Sequence, residues 1–516
     1  MIVKTDIMPS FYQDSVILMR IAGQIRQRPG VQEAALFMGT PSNQELLRQI
    51  GLATAEGTKA SANDLIITIA ADTEADAEKA VVAAKELLKA RRQAMDESHE
   101  YRPRTLDSAI RSMPNANLVS ISVPGAYAKF EAMKALRRDL HVFLFSDNVP
   151  IEEEIELKQE AVKRGLFCMG PDQGTAYING VGLGFANVVH RGRIGCVSAS
   201  GTGLQAVAAR VSMLGEGVSH GIGVGGRDLS QQVGGIMTGF AFKALAEDAA
   251  TEAIILVSKP ICIAVKSKIE EIIRNIKKPV IICCIGTSDF NIDGAISVRT
   301  LDEAADAAVA VLKGQRWLPN YFSDHQIIKD KLDQIRDRDA LAGSNILGLY
   351  TGGTLAYESH LLLESFLGTV GYNQAKIEDH LHLILDLGDD VYTVGRPHPM
   401  IDPQKRTGMI LEMEKRKGVN ILLLDLVLGK GSHENPAEPL AAAVREVHNR
   451  FRKNGRPFAV LASVIGTAMD PQDYNLQIKQ LQEAEINIFP SNAEAARFAA
   501  LLVKPELYDQ FVGSDS

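Results

Sequence analysis

The sequence has little cysteine, no excess of basic residues and no long hydrophobic run. Its five cysteines form no Cys-x-x-Cys pair and mostly lie in apolar, strand-like runs, so we interpret them as reduced core residues. Cys283 and Cys284 are adjacent, and neighbouring residues on a strand point to opposite faces, which argues against a joint reactive site. A disulfide-stapled scaffold is therefore excluded.

The charge balance excludes two classes of partner. The chain has 55 Lys and Arg against 63 Asp and Glu, a net charge of -8, which offers no electrostatic attraction to nucleic acid or to an anionic membrane. The longest apolar runs, such as residues 421–428, are far shorter than the ~20 residues that span a bilayer, and no basic segment followed by an apolar one stands at Met1. We predict a cytoplasmic protein.

The chain has 516 residues, which at about 100 to 200 residues per domain predicts three or four folding units. Short β-branched runs alternate with stretches of helical period, a pattern typical of α/β proteins with parallel sheets. The predicted strands are residues 118–123, 142–146, 194–198, 254–258, 280–285, 347–350, 383–386, 421–425 and 460–464. In such folds ligands bind beyond the carboxyl ends of the strands.

Composition changes along the chain predict the domain boundaries. A charged stretch, residues 91–104, indicates a solvated connector, and a segment with Trp317 and Pro319 indicates a linker. The predicted division is an N-terminal α/β unit at 1–108, further units at 109–190 and 191–312, a linker at 313–339, and a last unit at 340–516.

The most informative segment follows the predicted strand 194–198, where small and hydroxyl residues precede a helical pattern: Ser200, Gly201, Thr202 and Gly203. Unpaired backbone N–H groups and the positive end of the helix dipole suit a phosphate or carboxylate at such a start. The alternative is an ordinary helix cap, since serine and threonine are favoured there. Residues 350–354 open a helix in the same way.

A glycine-rich stretch, residues 221–226, matches the pattern GxGxxG but is not followed by a clear helix, which argues against dinucleotide binding. Arg227 comes directly after it. This arginine either reaches a neighbouring anion site or forms a surface ion pair.

Residues 385–403 combine charged side chains with a rigid backbone, because three prolines occur in the seven positions 397–403. Arg396 offers a planar guanidinium to a carboxylate or phosphate, and His398 can move a proton near neutral pH. Asp389 and Asp390 offer oxygen ligands to a divalent metal. The alternative interpretation is a rigid connector whose charges pair with one another.

Three further loops follow consecutive predicted strands and together predict one cleft. They contain Pro124, Asn148 and Pro171. Each loop is weak evidence alone, since glycine and proline are common at strand ends.

The segments together resemble the FdrA family, proteins similar to the succinyl-CoA synthetase superfamily with α-like and β-like parts fused in one chain. The resemblance runs from about Tyr12 to the end and rests on the segments at residues 145–149, 169–172, 200–203, 225–230, 386–390 and 394–403. It implies a CoA-binding-type Rossmann unit before residue 190, and flavodoxin-like ligase units in 191–312 and 340–516.

In the synthetases, two helices point their N-termini at a phosphohistidine. The resemblance matches these starts to residues 200–203 and to the turn at Gly388, Asp389 and Asp390. The histidine segment of the parent family is matched here by Gly286-Thr287-Ser288-Asp289-Phe290-Asn291, which has no histidine, and its glutamate by Ser258-Lys259-Pro260. A phosphohistidine relay therefore cannot be carried over, and use of ATP and CoA has no support from these residues.

Some FdrA proteins are the AllF subunit of oxamate carbamoyltransferase in allantoin catabolism, working with AllG and AllH. The resemblance thus implies transfer of a carbamoyl group, written as oxamate and phosphate giving carbamoyl phosphate and oxalate, with AllG-like and AllH-like partners. We assign anion binding to Ser200, Gly201, Thr202, Gly203, Arg227 and Gly388. We assign catalysis to Arg396, His398, Asp389 and Asp390, the two aspartates also being candidates for Mg²⁺.

Two other functions stay open. One is an acyl-CoA synthetase acting on a small carboxylic acid, in which Pro124, Asn148 and Pro171 would contact CoA. The other is a non-catalytic subunit of such a complex. Assembly into a homo-oligomer is a further expectation.

Overall fold

The computed structural model of the chain describes residues 2–96, 103–287, 291–335, 338–373, 382–393 and 396–512. It divides into two compact units. The N-terminal unit consists of Met1–Ser112 together with Asp389–His398, and the larger unit consists of Met113–Gly388 and Pro399–Ser516.

The N-terminal unit is built on an antiparallel sheet with the strand order β1-β3-β2. Its strands are β1 (Ile2–Met8), β2 (Val31–Met38) and β3 (Leu65–Ala71), and its helices are α1 (Ser15–Arg26), α2 (Pro41–Gln49), α3 (Glu74–Asp96) and α4 (Leu106–Ser112). The central strand β3 is buried along its length because its sequence is apolar on both faces. Helices α1 and α3 cover one face, and Phe37, Leu47 and Leu52 cover the other.

The larger unit begins with a small parallel sheet, β4-β5-β6. Its strands are β4 (Leu118–Ile121), β5 (His141–Leu144) and β6 (Cys168–Met169), connected by α5 (Gly125–Leu136) and α6 (Ile151–Lys163). This is the strand, helix, strand alternation that the sequence predicts for the region.

A second sheet has the order β13-β12-β11-β9-β10-β7-β8; it is parallel from β13 to β10, and β7 pairs antiparallel with both β10 and β8. Its strands are β7 (Thr175–Ile178), β8 (Val181–Gly184), β9 (Ile194–Ser198), β10 (Val218–Gly223), β11 (Ala253–Ser258), β12 (Val280–Cys284) and β13 (Ile296–Val298). Its helices are α7 (Gly201–Met213), α8 (Ile236–Glu247), α9 (Ile263–Ile273) and α10 (Leu301–Leu312). The boundary at residue 190 stays a prediction, although β7 and β8 precede it and pair with this sheet.

A third sheet is parallel throughout, with the order β15-β16-β14-β17-β18-β19. Its strands are β14 (Asn345–Tyr350), β15 (Val370–Tyr372), β16 (His382–Asp386), β17 (Val419–Val427), β18 (Ala459–Ile465) and β19 (Ile486–Phe489). The helices of this region are α11 (His325–Gln334), α12 (Gly353–Leu367), α13 (Asp390–Thr393), α14 (Gln404–Leu411), α15 (Ala437–Lys453), α16 (Tyr474–Glu483), α17 (Asn492–Val503) and α18 (Tyr508–Val512). Helix α13 groups with the N-terminal unit.

The segment that we predicted as a linker, residues 313–339, contains α11 and packs onto the core. Phe322 is almost fully buried and contacts Phe511 edge to face. One continuous hydrophobic core extends from Ile194 in the second sheet to Phe498 beside the third. The α/β class and all nine predicted strands are confirmed, with boundaries that shift by a few residues at most.

The cysteines support their interpretation as core residues. Cys168, Cys196, Cys283 and Cys284 are buried, and Cys262 is half-buried. Burial raises the pKa of the Cys168, Cys196 and Cys284 thiols to about 12, so these thiols stay protonated. Within the described residues, no helix is both long and apolar enough to cross a membrane.

Candidate active site

The second and third sheets each have a strand where the chain order reverses. In the second sheet β9 lies between β10 and β11, and in the third sheet β14 lies between β16 and β17. Ligands of open α/β sheets bind beyond the carboxyl end of such a switch strand. The turns that follow β9 and β14 are therefore the places to examine.

The turn after β9 is closed by hydroxyl groups. Ser200 caps α7, and its Oγ accepts a hydrogen bond from Gly203 N–H at 2.9 Å. Ser198 Oγ donates to Ser200 O at 2.7 Å and accepts from Ser200 N–H at 3.1 Å, which fixes the turn. The helix cap predicted at Ser200 is thus present, and it uses neutral groups only.

The turn after β14 is closed by ionised groups instead. Helix α12 begins after Gly352, which has no side chain to cap it, and Asp425 of β17 accepts from the N–H groups of Thr351 and Gly352 at 2.8 Å each. Arg406 Nη1 lies 2.8 Å from Asp425 Oδ1, and both side chains are at most 2% exposed. Burial raises the pKa of Asp425, against the opposing effect of Arg406, and burial lowers the pKa of Arg406.

The two turns meet. Ser200 Oγ lies 2.5 Å from Thr354 Oγ1, although the residues are 154 positions apart. A Cβ atom added to Gly352 would lie 3.2 Å from Thr202 Cβ, so the backbones approach closely. The structure therefore pairs the Ser200 turn with residues 352–354, whereas the resemblance matched its partner to Gly388.

Gly388 lies beside the start of α12 rather than at the start of a comparable helix. Its N–H donates to Asp386 Oδ1 at 3.0 Å, and a Cβ added to Gly353 would clash with Asp386 Oδ2. The helix after Gly388, α13, is only four residues long. The carboxylate of Asp386, not the turn at Gly388, is what lies against α12.

The predicted catalytic residues group with the N-terminal unit. Arg396 is 44% exposed, and its Nη2 lies 3.3 Å from Glu33 Oε2 in the same unit. His398 and Asp389 are half-buried, and Asp390 is exposed. Their catalytic roles stay predictions. In the described part of the chain, no group of histidine, cysteine, aspartate or glutamate has a geometry that could hold a metal, and Mg²⁺ at Asp389 and Asp390 stays a prediction as well.

Arg227 has a structural environment that the sequence did not indicate. Its guanidinium donates to Val149 O at 2.7 Å and lies 2.8 Å from Glu154 Oε2. Glu154 in turn pairs with Lys158, which is fully buried and also bonds Asp228 Oδ1 at 2.7 Å. Arg227 thus serves as the partly exposed end of a buried charge network, and anion binding by it stays a prediction. The buried Lys158 was missed because a lysine on a charged helix normally faces water.

The three loops predicted to contact CoA lie together at the carboxyl edge of the small sheet. A Cβ on Gly125, next to Pro124, would lie 2.5 Å from Asn148 O, so these two loops touch. Asp172 N–H, next to Pro171, donates to Ser146 O at 2.9 Å, which brings in the third loop. The three predicted loops therefore lie together, while a cleft between them and the binding of CoA stay predictions.

Comparisons with known proteins match two parts of the chain to families. Residues 1–103 match a model described as AllF, heavy metal-associated domain, and residues 349–502 match a CoA-ligase model. The uncharacterized protein YahF of Escherichia coli is 39% identical over 97% of this chain and 98% of its own length.

Two more distant relatives either match a smaller part of this chain or superpose on it less closely. The α subunit of an ADP-forming succinate–CoA ligase from Methanothermobacter thermautotrophicus is 27% identical over 28% of this chain and 49% of its own. The crystal structure of PH0766 from Pyrococcus horikoshii covers 78% of this chain and 86% of that one, at 17% identity and a TM-score of 0.33. A similarity that low carries no argument about arrangement or function.

The first model's description raises the question of a metal in the N-terminal unit, and thiolate and imidazole ligands for one are absent from the described part of residues 1–103. Residues 1–103 contain no cysteine and a single histidine, His99, which lies outside the described residues. Soft heavy metals are bound mainly through thiolate, thioether and imidazole groups, so the soft ligands that remain there are methionine thioethers such as that of Met8 at the end of β1. The loop between β1 and α1 offers instead Ser10, whose N–H is bonded to Asp64, together with the side chains of Gln13 and Asp14.

Proposed function

This chain belongs to the FdrA-like family of succinyl-CoA-synthetase type that includes YahF, and from that premise we propose that it is the acyl-transfer subunit of a CoA-ligase-type enzyme. In this proposal a small carboxylic acid, activated as its acyl phosphate, gives its acyl group to CoA: the thiol sulfur bonds the carbonyl carbon, and phosphate leaves with the electron pair of the broken C–O bond. This is the acyl-CoA synthetase alternative that the sequence left open.

One observation carries the proposal, the contact between the starts of α7 and α12. Ser200 Oγ and Thr354 Oγ1 meet at 2.5 Å beyond the switch strands of both sheets, and α12 lies within the CoA-ligase match. One hydroxyl hydrogen is used between Ser200 and Thr354, so the other, with the backbone N–H groups of Gly201 and Thr202 at the start of α7, can hydrogen-bond a carbonyl oxygen as negative charge develops on it. Acyl transfer requires such stabilisation.

Two features favour direct acyl transfer over a phosphohistidine relay. The segment after β12 contains no histidine between Gly286 and Asn291. The start of α12 already faces the carboxylates of Asp425 and Asp386. A phosphate there would be repelled by roughly 1 to 4 kcal/mol for each pair of unit charges about 4 Å apart. Any nucleotide-dependent step is therefore assigned to another chain.

Carbamoyl transfer is the weaker candidate. Oxamate with phosphate cannot give both carbamoyl phosphate and oxalate, since oxamate has two carbon atoms and the products have three. The balanced step starts from N-carbamoyloxamate: the bond from the carbamoyl carbon to the oxamate nitrogen breaks, that carbon bonds a phosphate oxygen, and oxamate is released. Nothing in the comparisons supports that activity beyond the word AllF in one model's description, which concerns residues 1–103. AllG-like and AllH-like partners, and a homo-oligomer, stay predictions.

The test is a thiol-transfer assay on the full chain, alone and copurified with its partners. Acetyl phosphate and CoA should give acetyl-CoA and phosphate: the thiol sulfur attacks the carbonyl carbon, the bond from that carbon to the phosphate oxygen breaks, and the thiol proton goes to solvent or phosphate. Loss of free thiol and appearance of thioester are measured together.

Binding of CoA is measured separately by isothermal titration calorimetry. Asn148 has a φ of 52°, so Asn148→Gly keeps the backbone conformation while removing the amide and should weaken CoA binding. The proposal is wrong if neither the chain nor its complex binds CoA or forms thioester. Release of carbamoyl phosphate from a carbamoyl donor in the same preparations would favour the weaker candidate.

A further inference from the structure

A cluster of basic and aromatic side chains lies beside the site described above and has no assigned role. Lys259 follows β11, and Gly286 with Thr287 follows β12. Tyr357 and His360 stand three positions apart on α12, so they share one face of that helix. The cluster, which we call the Tyr357 cluster, therefore combines carboxyl ends of strands in the second sheet with a helix that packs on the third.

The side chains of the Tyr357 cluster are arranged around one ring. Lys259 Nζ lies 5.4 Å from the centroid of the Tyr357 ring, a cation–π distance. Tyr372 meets Tyr357 edge to face at 5.9 Å and lies 5.1 Å from the His360 ring. A Cβ on Gly286 would lie 2.9 Å from Tyr357 Oη, and Gly286 has a φ of +89°, so glycine is required for the hydroxyl to sit there.

The Tyr357 cluster has hydrogen-bonding groups that the described residues leave unused. His360 Nδ1 and Thr287 Oγ1 are buried and have no hydrogen-bond partner in the described part of the chain. Lys259 is exposed, and its Nζ lies over the Tyr357 ring. Buried polar groups are nearly always bonded to protein, ligand or water, so the buried atoms of His360 and Thr287 indicate a partner beyond the protein groups described.

The protonation states make the cluster a set of donors with one positive charge. Burial lowers the pKa of His360, with Glu364 opposing, so the imidazole is neutral near pH 7 and has one N–H to donate. Burial raises the pKa of Tyr357, so its phenol keeps its proton. Glu364 is the exposed carboxylate that influences both rings, and it disfavours a multiply charged anion.

We propose that the Tyr357 cluster binds the carboxylate of the small acid whose acyl group is transferred, with Lys259 supplying the charge and Thr287, Tyr357 and His360 supplying hydrogen bonds. One cation and several neutral donors match a singly charged carboxylate better than a phosphate dianion. The assignment rests on the proposed function and adds to it the residues that would select the substrate.

The test uses acetate and inorganic phosphate as probes on the full chain, without CoA. Binding is followed by NMR through the imidazole signals of labelled histidine, with His360→Gln identifying the His360 signal. Lys259→Met removes the charge and should weaken acetate binding about 10-fold or more. Tyr357→Phe removes only the hydroxyl and should weaken it about 2- to 10-fold. Lys277→Met, at an exposed lysine before β12, is the matched control and should leave binding unchanged.

Three results would overturn the assignment: acetate binding within twofold of the native chain in Lys259→Met, tighter binding of phosphate than of acetate, or no binding of acetate at roughly 100 mM. Failure of the proposed function would give a different result, namely no CoA binding and no thioester formation. If the chain binds acetate in a way that depends on Lys259 but does not bind CoA, the proposed carboxylate site stands. The proposed acyl-CoA chemistry is then wrong.

Discussion

Helices α7 and α12 begin at equivalent points of two sheets, directly after a switch strand, yet their starts are stabilised by different chemistry. The α7 turn uses the hydroxyls of Ser198 and Ser200. The α12 turn has no capping side chain of its own and uses Asp425, held by Arg406, with Asp386 alongside. The second sheet thus closes its turn with neutral groups and the third sheet with charged ones.

The difference decides which helix start remains available to a ligand. A helix N-terminus attracts negative charge, and at α12 the chain's own carboxylates already meet that attraction. At α7 only a hydroxyl occupies the position, so the dipole is still available. We therefore expect the carbonyl oxygen of the acyl group to approach from the α7 side, and the following predictions test whether the two starts differ as described.

The largest effect should come from Arg406. Arg406→Met leaves Asp425 as an uncompensated buried charge under the α12 turn, and breaking a buried pair in this way typically costs about 3 to 5 kcal/mol. Urea unfolding followed by the fluorescence of Trp317, which packs against the shared core, measures the loss. Lys405→Met, at the exposed neighbouring position, is the control and should change stability by less than about 0.5 kcal/mol. Equal stabilities would show that the ionised turn contributes nothing.

The free energy of unfolding should depend on pH through two glutamates on helices of the third sheet. Burial, followed by the charge of Asp302, raises the pKa of Glu358 on α12 to about 7, and burial raises that of Glu494 on α17 to about 7. The folded chain then holds these protons at pH values where the unfolded chain has released them. Stability should fall as pH rises from about 4.5 to 7, by up to about 1.4 kcal/mol per pH unit for each group, and then level off.

Glu358→Gln should flatten that decline, because glutamine does not titrate. Glu364→Gln changes an exposed carboxylate on the same helix and should leave the slope as it is. Unfolding in urea between pH 5 and 8 gives the comparison. If both variants show the same dependence of stability on pH as the native chain, Glu358 is ionised throughout the range and its pKa is not raised.

The smallest effect compares the two glycines at the first position of each helix. A Cβ at Gly353 would clash with Asp386, whereas a Cβ at Gly201 would meet nothing nearer than Thr175 Oγ1, at 3.3 Å. Gly353→Ala should therefore destabilise the chain by about 1 to 3 kcal/mol, and Gly201→Ala by less than about 1 kcal/mol. Thermal unfolding of the two variants side by side measures the difference, and the reverse order would show that Asp386 does not lie against α12.

Local patterns accounted for the strands and for one of the two turns. Runs such as Ile421 to Asp425 are apolar enough to predict a buried parallel strand, and Ser200 followed by a helical pattern predicts a cap. The pairing of the Ser200 turn was assigned to Gly388 because the resemblance directed attention to a glycine and two aspartates. The better signal was residues 350–354, which repeat the strand, small residues, helix pattern of residues 198–203.

The sequence by itself determined the class of fold, the strands and the hydroxyl cap of α7, because each depends on residues within a few positions of one another. Only the tertiary structure decided that Ser200 meets Thr354, that Asp425 and Arg406 support the α12 turn, and that Lys259 stacks on Tyr357. These contacts join segments 19 to 154 residues apart. Charge, hydrophobic period and spacing along a chain do not specify which distant groups are buried against each other; the packing of the sheets does.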